Sequence, residues 1–245
     1  MVLARRALYV VTLLLAETVL LIAPARAEDC FRIATPAGAG GTGEMSQITI
    51  QVFKEAGLCV EMLRLPPKRI AGVVAAREAD GWVQAVTADD KPPGVILLAN
   101  DLGRLEGTLY WPAGSMEPAG SDSAIGAVLG QAWAQLEVQR RKAKLYEVRD
   151  NKQLLSMAST QRLRGFLIPA ITYQHFLVDF PELRSYNRRL VADLRIRIAL
   201  RPGLESIVPR LETAAKQTVE EGFPQQVWQR YLQEKPGTMQ WDNRP

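Results

Sequence analysis

From Cys30 onward, short apolar runs alternate with longer amphipathic runs along the chain. Residues 31–35, 59–65 and 81–86 have the apolar, β-rich character of buried strands, and segments of helical length and periodicity separate them. This rhythm is typical of βα units, in which a helix crosses over between parallel strands. The sequence therefore predicts an α/β fold with a mostly parallel sheet.

A stretch rich in Pro, Gly and Ser at residues 112–121 interrupts this rhythm, as linkers and domain crossings do. Beyond it the βα pattern resumes, and a late strand at 194–200 precedes two amphipathic helices. We therefore predict two lobes joined by a hinge, with a cleft between them. Residues 28–112 and 201–245 form the first predicted lobe, and residues 113–200 form the second.

The N-terminal segment has the features of an export signal. Arg5 and Arg6 precede an apolar run at 7–23, and a small-x-small pattern ends at Ala27. We expect residues 1–27 to be a signal peptide, cleaved after Ala27, and the mature chain to be periplasmic. The alternative is a retained membrane anchor, but the glutamate inside the apolar run and the small-residue exit favour cleavage.

The chain has only two cysteines, Cys30 and Cys59, and each opens a predicted strand. If these strands are parallel neighbours joined by one helix, the two thiols lie at the same end of the sheet, within disulfide reach. An oxidising compartment would let them pair. The alternative is two buried free thiols.

Several classes of protein are disfavoured by composition. One histidine and two cysteines do not supply a Cys/His zinc cluster or most histidine-based catalysis. The net charge of +4 is scattered, so no nucleic-acid footprint is indicated. P-loop and nucleophile-elbow motifs are missing from the sequence. We expect a monomer with no metal, no cofactor and no catalytic residue.

The loop after the first predicted strand is rich in glycine. Gly38, Gly40 and Gly43 formally match the dinucleotide-binding pattern, but the acidic residue expected about 20 positions later is not cleanly placed, since Glu61 lies inside the second predicted strand. Nicotinamide cofactors are also scarce outside the cell. The preferred interpretation is a loop whose backbone N–H groups approach some ligand, and dinucleotide binding is the alternative.

The single histidine, His175, lies on a predicted helix without an orienting partner nearby in sequence. It is interpreted as a surface or partly buried residue rather than as a catalyst. Trp133 fits the apolar face of another predicted helix, which favours core packing. Trp82, Tyr110 and Trp111 could stack on a ligand.

The order of motifs along residues 30–232 resembles a known family. The segment at 54–60, KEAGLCV, looks like a helix end, a glycine and a second strand, and a P-x-x-R helix with a following Asp has Arg69 and Asp80 at the matching positions. The C-terminal helices fit with Gly222, Val227 and Tyr231. The chain resembles the bacterial extracellular solute-binding proteins of the type II periplasmic binding-protein fold, in particular the amino-acid (family 3) group.

The resemblance implies a hinge-bending clamp that captures a small organic solute between two lobes for a transporter, of the ABC type, or for a sensor. It implies ligand contacts at strand ends and helix N-termini, with Arg69 binding a carboxylate or another anion. The alternative for Arg69 is a structural ion pair with Asp80. The implied ligand-binding residues are Thr35, Gly41, Arg69, Thr87, Tyr110, Gln131 and Thr172.

Two departures from the family pattern change the expected ligand. Amino-acid binders usually carry T-x-x-R after the third strand, whereas residues 87–90 here read TADD. The G-R-x-D-A segment of the second lobe is replaced at 161–168 by QRLRGFLI. An anionic or neutral organic solute therefore fits better than an α-amino acid.

Two other functions stay open on the same fold. One is a periplasmic accessory protein of a dehydrogenase or quinoprotein system, which would use the fold for protein contact. The other is an enzyme similar to cyclohexadienyl dehydratases, for which Glu44 and His175 are the acid–base candidates. We predict that the chain is not an enzyme.

Overall fold

A computed structural model describes residues 30–37, 42–88 and 92–234. The expected signal peptide lies outside these residues, as does Gly41. The strands are β1 (Phe31–Pro36), β2 (Val60–Leu65), β3 (Gly81–Thr87), β4 (Ile96–Leu97), β5 (Arg104–Trp111), β6 (Ala124–Val128), β7 (Lys144–Val148), β8 (Gly165–Pro169) and β9 (Asn187–Leu200). The helices are α1 (Thr42–Glu55), α2 (Pro67–Ala75), α3 (Ala132–Arg140), α4 (Asn151–Ser159), α5 (Ala170–Phe176), α6 (Val208–Glu220) and α7 (Phe223–Gln233). None of the described helices is both long enough and apolar enough to span a membrane.

The described strands form one sheet in the order β2-β1-β3-β9-β5-β8-β6-β7, with β4 also paired to β9. β2, β1 and β3 are parallel to one another, and so are β7, β6 and β8. The central strands β9 and β5 run antiparallel to their neighbours. The predicted α/β fold is therefore confirmed, with a three-stranded parallel group at each end.

β9 is twice as long as the predicted strand at 194–200. Its C-terminal part pairs with β3, from Leu194 to Leu200, and its N-terminal part pairs with β5 from Asn187 onward. The sequence prediction missed the first half because residues 187–190 are all exposed and lack an apolar pattern. One strand therefore connects β3 of the first parallel group to β5, which pairs with β8 of the second parallel group.

The largest buried cluster runs through both predicted lobes. It joins Ile33 and Phe53 of the first lobe to Ile125 and Leu167 of the second. Trp133 belongs to it and is buried, which confirms its predicted core role. The chain from Phe31 onward forms one compact unit, so the predicted lobe boundaries stay a prediction.

The two cysteines form a disulfide, Cys30–Cys59, as predicted. β1 and β2 are parallel neighbours with Phe31 opposite Val60, and the Phe31 N–H donates to the Cys59 carbonyl oxygen at 2.9 Å. The residues just before these strands therefore start side by side. The alternative of two free thiols is wrong.

Two predicted element boundaries are wrong for local reasons. The helix predicted to reach Ala79 ends at Ala75, because Arg77 adopts a left-handed φ of 59°. The strand predicted to reach Ile171 ends at Pro169, which is the N-cap of α5, so that helix begins three residues before the predicted start at Tyr173.

Candidate ligand-binding site

The turn between β6 and α3 lies against the first residue of α2. Gly130 has a φ of 83°, and a Cβ atom built on it would lie 2.2 Å from the Cβ of Pro67. Such a distance is far below van der Waals contact, so the close approach requires glycine. Pro67 belongs to the first predicted lobe and Gly130 to the second. We call this contact the Gly130–Pro67 junction.

The junction brings together two helix N-termini. α2 begins at Pro67, and α3 begins one residue after its N-cap, Gln131. Neither helix has an acidic residue in its first turn or a side-chain cap. The two helix dipoles therefore give this place a positive potential, and the exposed Lys68 and Arg69 add to it. Such an arrangement can hold an anion.

Two predicted ligand-binding residues have buried oxygens near these helix starts. The Gln131 Oε1 and the Thr35 Oγ1 each lack a hydrogen-bond partner within the described parts of the chain. The end of β1 lies beside the start of α2, because the Ala37 N–H donates to the Leu65 carbonyl oxygen at 2.8 Å. Buried polar atoms without partners cost free energy, so a ligand that supplies partners would be stabilised here.

The structure places Arg69 on the exposed surface of α2. The Asp80 carboxylate, its alternative partner, instead pairs with Arg201, with 3.0 Å between Oδ1 and the guanidinium nitrogens. Asp80 also accepts a hydrogen bond from the Arg32 backbone N–H at 2.9 Å. The alternative interpretation, that Arg69 forms a structural ion pair with Asp80, is therefore wrong. The binding of an anion by Arg69 stays a prediction.

Tyr110 is packed among aromatic rings. Its ring centroid lies 3.9 Å from that of Tyr173 and 5.5 Å from that of Phe166, and only 2% of the residue is exposed. Burial raises the pKa of Tyr110 to about 12, with Arg188 opposing the rise. Thr87 ends β3, is half-buried and pairs with Leu194. The structure does not bring these two residues to the Gly130–Pro67 junction through any described contact.

Thr172 and His175 lie buried on α5, which packs against α7. The His175 Nδ1 lies 2.7 Å from the Tyr231 carbonyl oxygen, and the two rings stack with centroids 4.0 Å apart and planes at 11°. Because a carbonyl oxygen only accepts, Nδ1 carries the hydrogen. Burial lowers the pKa of His175, while the bond to Tyr231 and the charge of Asp179 oppose this.

Glu44 lies in the first turn of α1 and is 2% exposed. Its Oε1 has no hydrogen-bond partner in the described structure. Burial raises the pKa of Glu44 to about 7, and the charge of Glu234 adds to the rise, whereas the backbone hydrogen bond and Arg64 oppose it. Burial also raises the pKa of Tyr231, and the charge of Glu44 adds to that rise.

The sequence named Glu44 and His175 as acid–base candidates but could not show that both face Tyr231. His175 and Tyr231 are 56 positions apart, and no local motif links them. No group of three or more potential metal ligands occurs among the described residues.

No family model matches this sequence, and no curated protein matches it. Solved structures do match. The arginine-, lysine- and histidine-binding protein ArtJ from Geobacillus stearothermophilus superposes with a TM-score of 0.69 at 10% identity, over 85% of this chain and 97% of its own. The GluR0 ligand-binding core from Nostoc punctiforme, in complex with L-glutamate, superposes with a TM-score of 0.69 at 9% sequence identity, over 83% of this chain and 100% of its own.

The ancestral amino acid-binding protein AncCDT-1, a precursor of cyclohexadienyl dehydratase, gives a TM-score of 0.66 at 13% identity, over 83% of this chain and 95% of its own. The chain has the solute-binding-protein fold. The predicted type II periplasmic binding-protein architecture is thereby confirmed. Pro67 and Gly130 belong to different predicted lobes, so the Gly130–Pro67 junction is a contact between the two predicted segments.

Proposed function

We propose that this chain is a periplasmic solute-binding protein, which captures a small organic solute bearing an anionic group between its two lobes for a membrane transporter or sensor. The observation that carries the proposal is the Gly130–Pro67 junction, where the N-termini of α2 and α3 meet. The Cys30–Cys59 disulfide supports an oxidising compartment and hence export with removal of residues 1–27.

The anionic group would lie at the two helix starts. First-turn backbone N–H groups, other than those of Arg69 and Ala134, which are already bonded, would supply donors, and the Gln131 amide, whose Oε1 has no partner in the described structure, would add a further donor and acceptor. Arg69, exposed in the first turn of α2, would close over the anion as the lobes meet. Thr35 would contribute a hydroxyl from the end of β1. Gly41, Thr87, Tyr110 and Thr172 remain further proposed contacts.

The proposed solute differs from those named for the matching structures. ArtJ binds arginine, lysine and histidine, and the GluR0 core was solved with L-glutamate. Here TADD at 87–90 lacks the arginine of the family's carboxylate clamp, and 161–168 lacks its second-lobe acid. The positive helix starts therefore favour an organic acid over an α-amino acid.

We propose binding rather than catalysis. AncCDT-1 is a precursor of an enzyme, and Glu44 is a carboxyl group whose pKa suits proton transfer. The Nδ1–H of His175, however, is bonded to the Tyr231 carbonyl, and Glu44 is only 2% exposed. Both candidate side chains are therefore buried within the protein.

Thermal shift against a panel of carboxylic acids, amino acids and sugars tests the proposal on the protein purified from the periplasm. A cognate solute at about 100 times its Kd adds roughly 2.7 kcal/mol to the free energy of unfolding. We expect a shift with a carboxylic acid and none with sugars. No shift from any solute, together with stable capture of a periplasmic dehydrogenase, would instead support the accessory role and contradict the proposal.

A further inference from the structure

α7 packs against both α1 and α5, and its buried Tyr231 interacts with buried polar groups of each, Glu44 of α1 and Thr172 and His175 of α5. α1 and α7 belong to the first predicted lobe and α5 to the second. The stacking of His175 on Tyr231 and the bond from its Nδ1 to the Tyr231 carbonyl therefore join one predicted lobe to the other.

The cluster holds two groups that can ionise close to neutral pH. Glu44 faces Tyr231 of α7, Glu234 just after α7 and Arg64 of β2, and within the described residues β1, β3 and α6 add no charge that shifts its pKa. His175 faces Tyr231 of α7, Glu234 just after α7 and Asp179 just beyond its own helix; from the described parts of β5 and β8 no further charge acts on it.

We propose that Glu44, Tyr231 and His175 form a proton-operated latch, which holds α5 against α7 only while both the carboxyl and the imidazole are uncharged. The proposal rests on the proposed function in one respect, namely that α5 belongs to a lobe that moves relative to α1 and α7. Packing explains why both groups must be neutral: each is buried, and the Glu44 Oε1 has no partner among the described residues to compensate a charge.

The two groups respond to pH in opposite directions. When the latch is closed, burial raises the pKa of Glu44 from 4.5 to about 7, so the open form loses this proton first and opening becomes easier as pH rises through that window. Burial lowers the pKa of His175 below 6.5, so the open form gains this proton first and opening becomes easier as pH falls below 6.5.

Hydrogen-exchange protection factors of α5 and α7, measured on the solute-free protein between pH 5 and 7, test the latch with single and double variants. His175→Asn keeps a donor for the Tyr231 carbonyl but does not titrate, so in this variant only the titration of Glu44 changes the protection with pH. We expect protection to fall by up to about tenfold per pH unit as pH rises. In Glu44→Gln only His175 acts, and protection should fall as pH drops. In the double variant, protection should not change with pH.

Glu55→Gln is the matched control, because Glu55 lies at the exposed end of the same helix and bonds only to Gln51 at 2.7 Å among its described contacts. It should leave the wild-type profile unchanged, and protection in α4 should not vary with pH in any variant. A flat profile in His175→Asn, or an unchanged slope after Glu44→Gln, would overturn the latch.

Failure of the latch and failure of the proposed function give different results. If carboxylic acids bind but α5 protection is independent of pH, the solute-binding function stands and the latch is wrong. If the slopes follow the variants but no solute shifts the melting temperature, the latch contact stands and solute capture is wrong. Circular dichroism of each variant confirms the fold, and Glu44→Gln keeps both the volume and the polarity of the side chain.

Discussion

Gly130 approaches Pro67 so closely that no side chain fits between them, and this contact joins the starts of α2 and α3. Closure of the proposed clamp depends on this approach. The contact also provides a way to hold the lobes apart without altering any charged or hydrogen-bonding side chain.

Gly130→Ala places a methyl group in the space occupied by Pro67. We expect the affinity for a bound carboxylic acid, measured by calorimetry, to fall at least about tenfold, because the closed state loses about 1.4 kcal/mol or more. Gly94→Ala is the matched control: Gly94 lies outside the stretch at 112–121 and also has a positive φ, 71° against 83°, but nothing lies within 4 Å of its added Cβ. Equal affinities of the two variants would contradict a role for the junction.

Substitutions of Arg69 and Arg201 should change different properties, the affinity for the solute in one variant and the stability of the fold in the other. Arg69→Ala should weaken binding of the carboxylic acid and leave the melting temperature of the solute-free protein unchanged, because Arg69 is exposed. Arg201→Ala removes the partner of Asp80 and should lower the free energy of unfolding by about 1 kcal/mol with unchanged affinity. Unchanged affinity in Arg69→Ala would remove that residue from the proposed site.

The Cys30–Cys59 disulfide closes a loop around α1. Replacing both cysteines with serine should lower the free energy of unfolding by roughly 3 kcal/mol, because the unfolded chain regains the entropy of the open loop. Urea unfolding with and without reductant measures this. Reductant should destabilise the wild type and have no effect on the double variant; an effect on the variant would point to another cause.

His175 is the only histidine, so its imidazole gives one resolved signal in a proton NMR titration. We expect a pKa below 6.5, because burial disfavours the charged ring. The corresponding contribution to stability is complete above pH 6.5 and is lost as pH falls toward the lowered pKa. A pKa at or above 6.5 would contradict the burial of the ring against Tyr231.

Glu44→Gln should stabilise the protein more at pH 8 than at pH 5. In the folded state the pKa of Glu44 is raised from 4.5 to about 7, so the wild type loses stability as pH rises between these values. The full difference is at most about 3 kcal/mol. Urea unfolding at both pH values checks this, and an equal effect of the substitution at pH 5 and pH 8 would show that the carboxyl group titrates normally.

The sequence predicted the elements whose signal is local. Strand apolarity, helix periodicity and the glycine at 57 determined β1, α1 and β2, and the positions of Cys30 and Cys59 at two strand starts were enough to predict their pairing. The exposed first half of β9 carries no such signal. The left-handed turn at Arg77 also ends α2 without a glycine or proline to mark it.

The candidate site was harder to predict, because it depends on contacts between distant segments. The family resemblance implied Gln131, at a helix start, and Arg69, at the matching position of its P-x-x-R helix, and the structure brings the starts of these two helices together. The role of Gly130 depends on the approach of Pro67 and is invisible in the glycine itself. The pairing of His175 with Tyr231 depends on the packing of α5 against α7, which no periodicity in either helix specifies.

The length of β9 has a consequence for how the molecule melts. Its 14 residues form one continuous strand, which pairs with β3 over its C-terminal half and with β5 over its N-terminal half. If the part of the sheet around β3 becomes disordered, β9 loses a strand that keeps it extended for pairing with β5. Disorder around β5 has the same effect on the pairing of β9 with β3. Heating should therefore produce one cooperative transition, and a solute bound at the Gly130–Pro67 junction should raise the melting temperature of the entire sheet.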